Sequence, residues 1–256
     1  MSWVEMLLIL LAGMAAGTIN TIVGSGTLVT FPTLLAFGYP AVTANVSNTI
    51  GLVAGGLTGT WGYRKELVGS GDLLKRLAPM SFVGAVVGAL LLIVLPASAF
   101  DAIVPVLIGV GVLLVIFGPA LQRRALAAHH EDGGTAPGWQ RVALPAGIFV
   151  AGVYGGYFGA AQGVLLMGLM SVLLSDPVQR INGIKNVLGT IVNAVAALTF
   201  IVVATDKIDW AVAGLVGLGA LMGGVIGARV GRRLPPWALR TFIVVIGIVA
   251  IINLLR

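Results

Sequence analysis

The chain has 256 residues, 58% of them hydrophobic and 9% charged, with a formal net charge of +6; its mean hydropathy is +1.06. Soluble domains carry roughly 25% charged residues, so this chain has too little polar surface for a soluble fold and reads as an all-α polytopic membrane protein. Lys and Arg gather in the cytoplasmic loops of such proteins, which makes the lipid bilayer the expected partner and nucleic acid an unneeded one. With no cysteine, disulfides and thiolate metal sites are excluded; neither a metal nor a cofactor is expected.

The first segment, MSWVEMLLILLAGMAAG, has the hydropathy of a signal peptide but carries Glu5 in place of a basic leader. It is therefore read as a retained membrane element. Residues 3–38 are predicted to form a helical hairpin, broken or re-entrant near NTIVGSGT. Residues 42–63, 74–95 and 99–120 follow as spans, each near the ~20 residues that cross a bilayer. QRRALAAHHEDGGTAPGWQR (122–141) is too hydrophilic to span and is expected to be a cytoplasmic linker loop. Residues 142–174 are too long for one pass and contain GGYFGAAQG, which predicts a second hairpin broken near Gly159–Gly163. Three further spans are expected to follow it.

The two hairpins point to a repeat. Gly13, Gly17 and Gly24 recur at an offset of 139 as Gly152, Gly156 and Gly163, and so do Gly84, Gly88 and Pro96 as Gly223, Gly227 and Pro235. Asn48 and Gly51 match Asn186 and Gly189 at 138. The halves are 1–121 and 142–256, joined by 122–141. Basic residues cluster at Arg64, Lys65, Lys75 and Arg76; at Arg123, Arg124 and Arg141; at Arg180 and Lys185; and at Arg229, Arg232, Arg233 and Arg240. The corresponding stretch of the other half is nearly bare each time. If all four clusters face the cytoplasm, the two repeats are inverted, loops 64–76, 122–141 and 229–240 lie inside, and both termini lie outside the plasma membrane.

Inverted repeats and broken helices are recurrent equipment of secondary transporters, whose sites form at the repeat interface. The first break offers Asn20, Thr21, Gly24, Ser25, Gly26 and Thr27; the second offers Gln162 and Gly163. The helix starts that follow carry Asn45 and Asn48, and Asn182, Lys185 and Asn186. Short polar side chains, exposed backbone N–H groups and one lysine suit a small anion. Plainer readings stand beside this one. The glycines suit close helix packing, the asparagines suit helix capping, and Lys185 suits snorkelling to the interface.

All nine carboxylates fall in loops or at span edges, which disfavours a proton relay or a cation pathway. An intramembrane enzyme is disfavoured too. VGSGT is not a nucleophile elbow, and the only histidines, His129 and His130, lie in the polar linker. An anion channel and an assembly factor without transport remain open alternatives, as does assembly as a homodimer.

AGTINTIVGSGTLVTFPTLLAFGYPAVTANVSNTIG (16–51) and AGVYGGYFGAAQGVLLMGLMSVLLSDPVQRINGIKNVLG (151–189) resemble the TauE/SafE sulfite exporter family, and the likeness covers both halves. The resemblance implies a carrier of small sulfur-containing anions such as sulfite, thiosulfate or sulfonates. It also implies that Gly24, Gly26, Pro32, Asn45, Asn48, Gly163, Asn182 and Lys185 line or shape the pathway. GAAQG is poorer in glycine than the family's second motif, which leaves Gln162 as a specificity difference. The topology is directly testable, because single cysteines can be placed in a cysteine-free chain. Cysteines at 2, 98 and 207 are expected to react with an impermeant thiol reagent from outside the cell, and a cysteine at 69 only from inside.

Overall fold

The computed structural model describes residues 1–131, 140–230 and 236–254, with side chains described except at 121–140, 231–240, 250 and 253–256. Among the described residues every regular element is helical. The first half holds α1 (Trp3–Ile22), α2 (Thr27–Ala36), α3 (Ala41–Gly62), α4 (Gly71–Val94) and α5 (Ala97–Glu131). The second holds α6 (Gln140–Tyr157), α7 (Gln162–Leu173), α8 (Val178–Val203), α9 (Trp210–Val230) and α10 (Pro236–Leu254). In each half the second helix is short. Among the described residues five helices are long and apolar enough to cross a membrane: α1, α4, α5 over Ala97–Ala120, α8 and α9.

Local chemistry explains the ends. Ser2 and Glu5 form a capping box at the start of α1, with Ser2 N–H to Glu5 Oε2 at 2.6 Å and Glu5 N–H to Ser2 Oγ at 3.2 Å; Glu5 thus starts the helix. Gly24 (φ +87°) and Gly159 (φ +76°) turn the chain out of α1 and α6 through the left-handed region. Both turns reverse the chain, since Gly26 lies against Ala16 and Gly147 against Leu169. The linker differs from expectation. Gln122–Glu131 continues α5 as helix, consistent with the helix-favouring residues of QRRALAAHHE. Residues 132–139 and the side chains of Arg123, Arg124, His129 and His130 lie outside the described residues, as do Pro235 and the side chains of Arg232, Arg233 and Arg240.

Packing between the halves is reciprocal. α1 packs on α9 and α6 on α4, α3 on α9 and α8 on α4, α5 on α7 and α10 on α2, while α3 crosses α8. Successive contacts give the directions. Gly13 and Gly17 meet Val216 and Ala220, Gly51 and Gly55 meet the same pair, and Gly84 and Gly88 meet Phe149 and Val153. Within each of these pairs the helices therefore run parallel. α3 and α8 run antiparallel, because Gly56 and Thr60 face Thr190 whereas Gly183 faces Tyr63 and Leu67.

These contacts correct the repeat alignment by one helical turn. Gly84 meets the Phe149 carbonyl as Gly219 meets that of Leu10, and Gly88 meets Val153 O as Gly223 meets Met14 O. The counterpart of Gly84 in contact is thus Gly219, not Gly223, and Gly159 rather than Gly163 shares the backbone conformation of Gly24. Glycines spaced by four residues make a sequence alignment degenerate by one turn.

The basic segments converge at one end. Arg180 Nε donates to Ser70 Oγ at 2.8 Å, the Arg76 guanidinium donates to the Arg141 carbonyl, and Gly62 lies against Ala228 beside Arg229. At the other end Asp209 N–H donates to Ser47 Oγ at 2.9 Å. There, burial and the nearby carboxylates of Asp209 and Glu5 push the Tyr39 hydroxyl above its ordinary range.

The parallel seams are closer than a side chain allows. A methyl added at Gly223 would lie 2.0 Å from Met14 O, and one at Gly88 would lie 2.1 Å from Val153 O. Nothing stands within 4 Å of such a methyl at Gly168. Gly88→Ala and Gly223→Ala are each expected to cost about 1–3 kcal/mol of stability. Gly168→Ala is expected to be neutral, and thermal melts in detergent check all three.

Candidate functional site

The two breaks meet. Gly163 N–H donates to Gly24 O at 2.9 Å, and a methyl on Gly24 would stand 2.3 Å from Gly163 Cα. Bare backbone touches bare backbone here, so α2 and α7 begin side by side, and the positive ends of their dipoles share one region.

The half-helices that stop at the breaks leave carbonyls without intrahelical partners. Each set is capped by the opposite half. Lys185 Nζ donates to Asn20 O at 2.9 Å and to Thr21 O at 3.2 Å. Asn186 Nδ2 reaches Thr21 O at 3.2 Å and Asn182 Nδ2 reaches it more loosely at 3.5 Å. In the other direction, Asn45 Nδ2 on α3 donates to Tyr157 O of α6 at 3.0 Å. Asn20 works inside its own hairpin, its Oδ1 accepting the N–H of Gly26 at 2.7 Å at the start of α2.

Where these elements meet lies a small, partly open cavity. Asn20, Gly24 and Thr27 line it from the first hairpin, Gly159, Gln162 and Gly163 from the second, and Gly56 from α3. One face of α8 completes it with Lys185, Asn186, Gly189, Thr190 and Asn193. Lys185 is 2% exposed, and among the described residues it has no carboxylate within ion-pair distance. An ammonium has three donors, of which two are spent on carbonyls. Gln162 is also buried, and its Nε2 has no hydrogen-bond partner. A buried donor left unpaired costs about 1–3 kcal/mol. The lining holds no carboxylate, and among the described residues no three His, Asp or Glu side chains gather as a metal site would need.

Of the residues picked from the sequence, Asn20, Gly24, Thr27, Gln162, Gly163, Lys185 and Asn186 reach the cavity. The others do not line it. Thr21 supplies the carbonyl that Lys185 holds, and Gly26 supplies the N–H that Asn20 accepts. Asn45 and Asn182 cap carbonyls of the opposite half. Asn48 binds Thr30 at 2.5 Å and Thr27 at 3.4 Å, and Ser25 is fully buried with its hydroxyl unpaired. The sequence reading missed Gly56, Gly159, Gly189, Thr190 and Asn193. Three of these continue the polar face of Lys185 and Asn186 along α8, a helical stripe visible in INGIKNVLGTIVN. Arg180 stays at the basic end, paired with Asp176 at 3.1 Å.

The described residues thus form a helical bundle with a polar cleft between its halves, lined by Lys185 and no carboxylate. The chain is 31% identical over 222 residues to the probable membrane transporter protein YfcA of Escherichia coli (strain K12), covering 86% of this chain and 77% of that protein. It is 27% identical over 248 residues to the probable membrane transporter protein ORF9 of Sinorhizobium sp, covering 95% and 90%. A probable membrane transporter protein of Haemophilus influenzae is 26% identical over 218 residues, covering 85% and 81%. No solved structure matches the chain. The family model for sulfite exporter TauE/SafE matches residues 9–254, nearly the whole chain, and the protein therefore belongs to the TauE/SafE family of membrane transporters.

Proposed function

We propose that the protein is an alternating-access carrier of a small anion, a sulfur oxyanion or organosulfonate, built of two inverted repeats with the site at their interface. The observation that carries this reading is the cavity: a buried ammonium, an unpaired buried amide donor and two helix N-termini converge on it, with no carboxylate among its lining residues. Hydrogen bonds to a charged group contribute roughly 1.5–3 kcal/mol each, so a few such donors offset much of an oxyanion's desolvation. The anion would sit against Lys185 and Gln162, with Thr190 and Asn193 at the far side of the cleft.

The inverted arrangement is supported by the contact directions. α3 and α8 hold the same place in their halves yet run antiparallel, and α1, parallel to α9, pairs in the pattern that α6 repeats with α4. The orientation, with both termini outside, is supported by the basic segments meeting at one end. An inside-negative potential of ~100 mV drives each unit of anion charge outward by about 2.3 kcal/mol, which favours export.

Gln162 provides the sharpest test. Its Nε2 makes no bond that removal could break, so Gln162→Ala is expected to weaken binding of the carried anion about tenfold at unchanged melting temperature. Gln162→Glu should abolish binding by bringing a like charge. Reconstituted vesicles assayed with sulfite, thiosulfate, sulfoacetate and chloride identify the anion. Uniform failure of all four to bind or cross would defeat the reading.

A further inference from the structure

Helices broken inside a membrane expose carbonyl oxygens at the C-terminal ends of their halves. In carriers of this construction those oxygens hold the coupling ion, Na⁺ or a proton. In this chain protein groups hold these positions. Lys185 Nζ bridges Asn20 O and Thr21 O at 2.9 and 3.2 Å, the Asn186 amide shares Thr21 O, and the Asn45 amide takes Tyr157 O.

We propose that Lys185 is a tethered cation occupying the place of a coupling ion, so that the anion crosses without Na⁺ and its movement is electrogenic. The inference rests on the carrier reading above and deepens it. Lys185 neutralises the negative end of α1 with two donors, and its third is left for the anion in the cavity it lines. A bound monovalent anion makes the loaded site neutral and each full cycle moves one net negative charge, whereas a dianion such as thiosulfate moves two. The charge is present in one half only. Counted from the prolines that start α3 and α8, Asn48 corresponds to Lys185, one residue from its sequence match with Asn186. The cross-half caps of Asn45 and Asn182 share this register, and Asn48 bonds within its own half to Thr27 and Thr30. At ~100 mV a freely equilibrating monovalent anion would reach a gradient of about 50-fold, whatever the bulk cation.

The test reads cation binding and flux separately on the purified full-length chain. In detergent, the wild-type melting temperature is expected to respond equally to NaCl and choline chloride. Lys185→Ala, with the Asn20 and Thr21 carbonyls freed, is expected to gain a saturable stabilisation specific to Na⁺. Lys185→Gln serves the same comparison if the alanine variant does not fold. In vesicles with the potential clamped by K⁺ and valinomycin, thiosulfate or sulfite flux should be equal in Na⁺ and choline and should follow the imposed potential. Saturable Na⁺ stabilisation of the wild type would overturn the proposal. So would neutral variants indifferent to Na⁺, or flux tenfold faster under a Na⁺ or pH gradient at zero potential. Absence of flux for every anion would instead strike the carrier reading, because the melts decide independently whether the lysine fills a cation position.

Discussion

A backbone carbonyl without a donor in hydrocarbon costs several kcal/mol, and α1 and α6 both end where the breaks meet inside the bundle. Each half takes up the last carbonyls of the other. Asn45 on α3 crosses to Tyr157, and Asn182, Lys185 and Asn186 on α8 cross to Asn20 and Thr21. This exchange makes the halves interdependent. A first half alone would leave the end of α1 open, and a second half alone would bury an ammonium without partners. It also explains why amides are concentrated in the early turns of α3 and α8, where a membrane span would otherwise be apolar.

The same contacts divide the molecule along a line that is not the repeat boundary. α1, α3 and α9 run parallel and are joined by seams in which a glycine of one helix touches the backbone of the next. α4 and α6 form a seam of the same kind, and α8 packs with them. Between these two groups the contacts include the Thr60 and Thr190 hydroxyls at 3.1 Å, the lysine and asparagine caps, one backbone bond from Gly163 to Gly24, and apolar packing of Ala89, Leu92, Ala196 and Phe200 in one buried cluster with Leu52 and Val216. Seams without side chains resist sliding, whereas hydrogen bonds between side chains can be exchanged. The cavity lies on the boundary between the two groups, lined by α1 and α3 on one side and by α8 on the other.

Much of this was legible in the residues. Hydropathy marked α4, α5, α8 and α9 as spans, whereas α3, expected to span over 42–63, is not among the five helices apolar enough to cross a membrane. The runs around Gly24 and Gly159 marked the breaks, because few sequences other than glycine-rich ones leave a membrane helix cleanly. Register was less legible. Glycines spaced by one turn align equally well after a slip of one turn, and only the contacts of Gly84 and Gly219 with equivalent carbonyls remove the ambiguity. The roles of the amides were legible only in part. Asn45, Asn182 and Asn186 look alike in sequence, yet two cap without reaching the cavity and one does both, since the outcome depends on which face of the helix meets the opposite hairpin. Ala161 shows the opposite limit. It adopts a left-handed conformation (φ 61°) at the start of α7, a strained choice for alanine that a sequence reader would assign to glycine.

The frame is reciprocal, but the cavity is not, and the difference lies in the two crossing helices. Counted from Pro40 and Pro177, the positions of Lys185, Asn186, Gly189, Thr190 and Asn193 on α8 are held on α3 by Asn48, Thr49, Leu52, Val53 and Gly56. The polar stripe on α8 is thus answered by a mostly apolar one. Gly56 itself faces Thr190, and a methyl there would stand 2.6 Å from the threonine hydroxyl, so the small residue on α3 makes room for the polar face on α8. Two equivalent sites would place two ammonium groups close together in a medium of low dielectric, where like charges repel strongly. Confining the charge to one half avoids that repulsion.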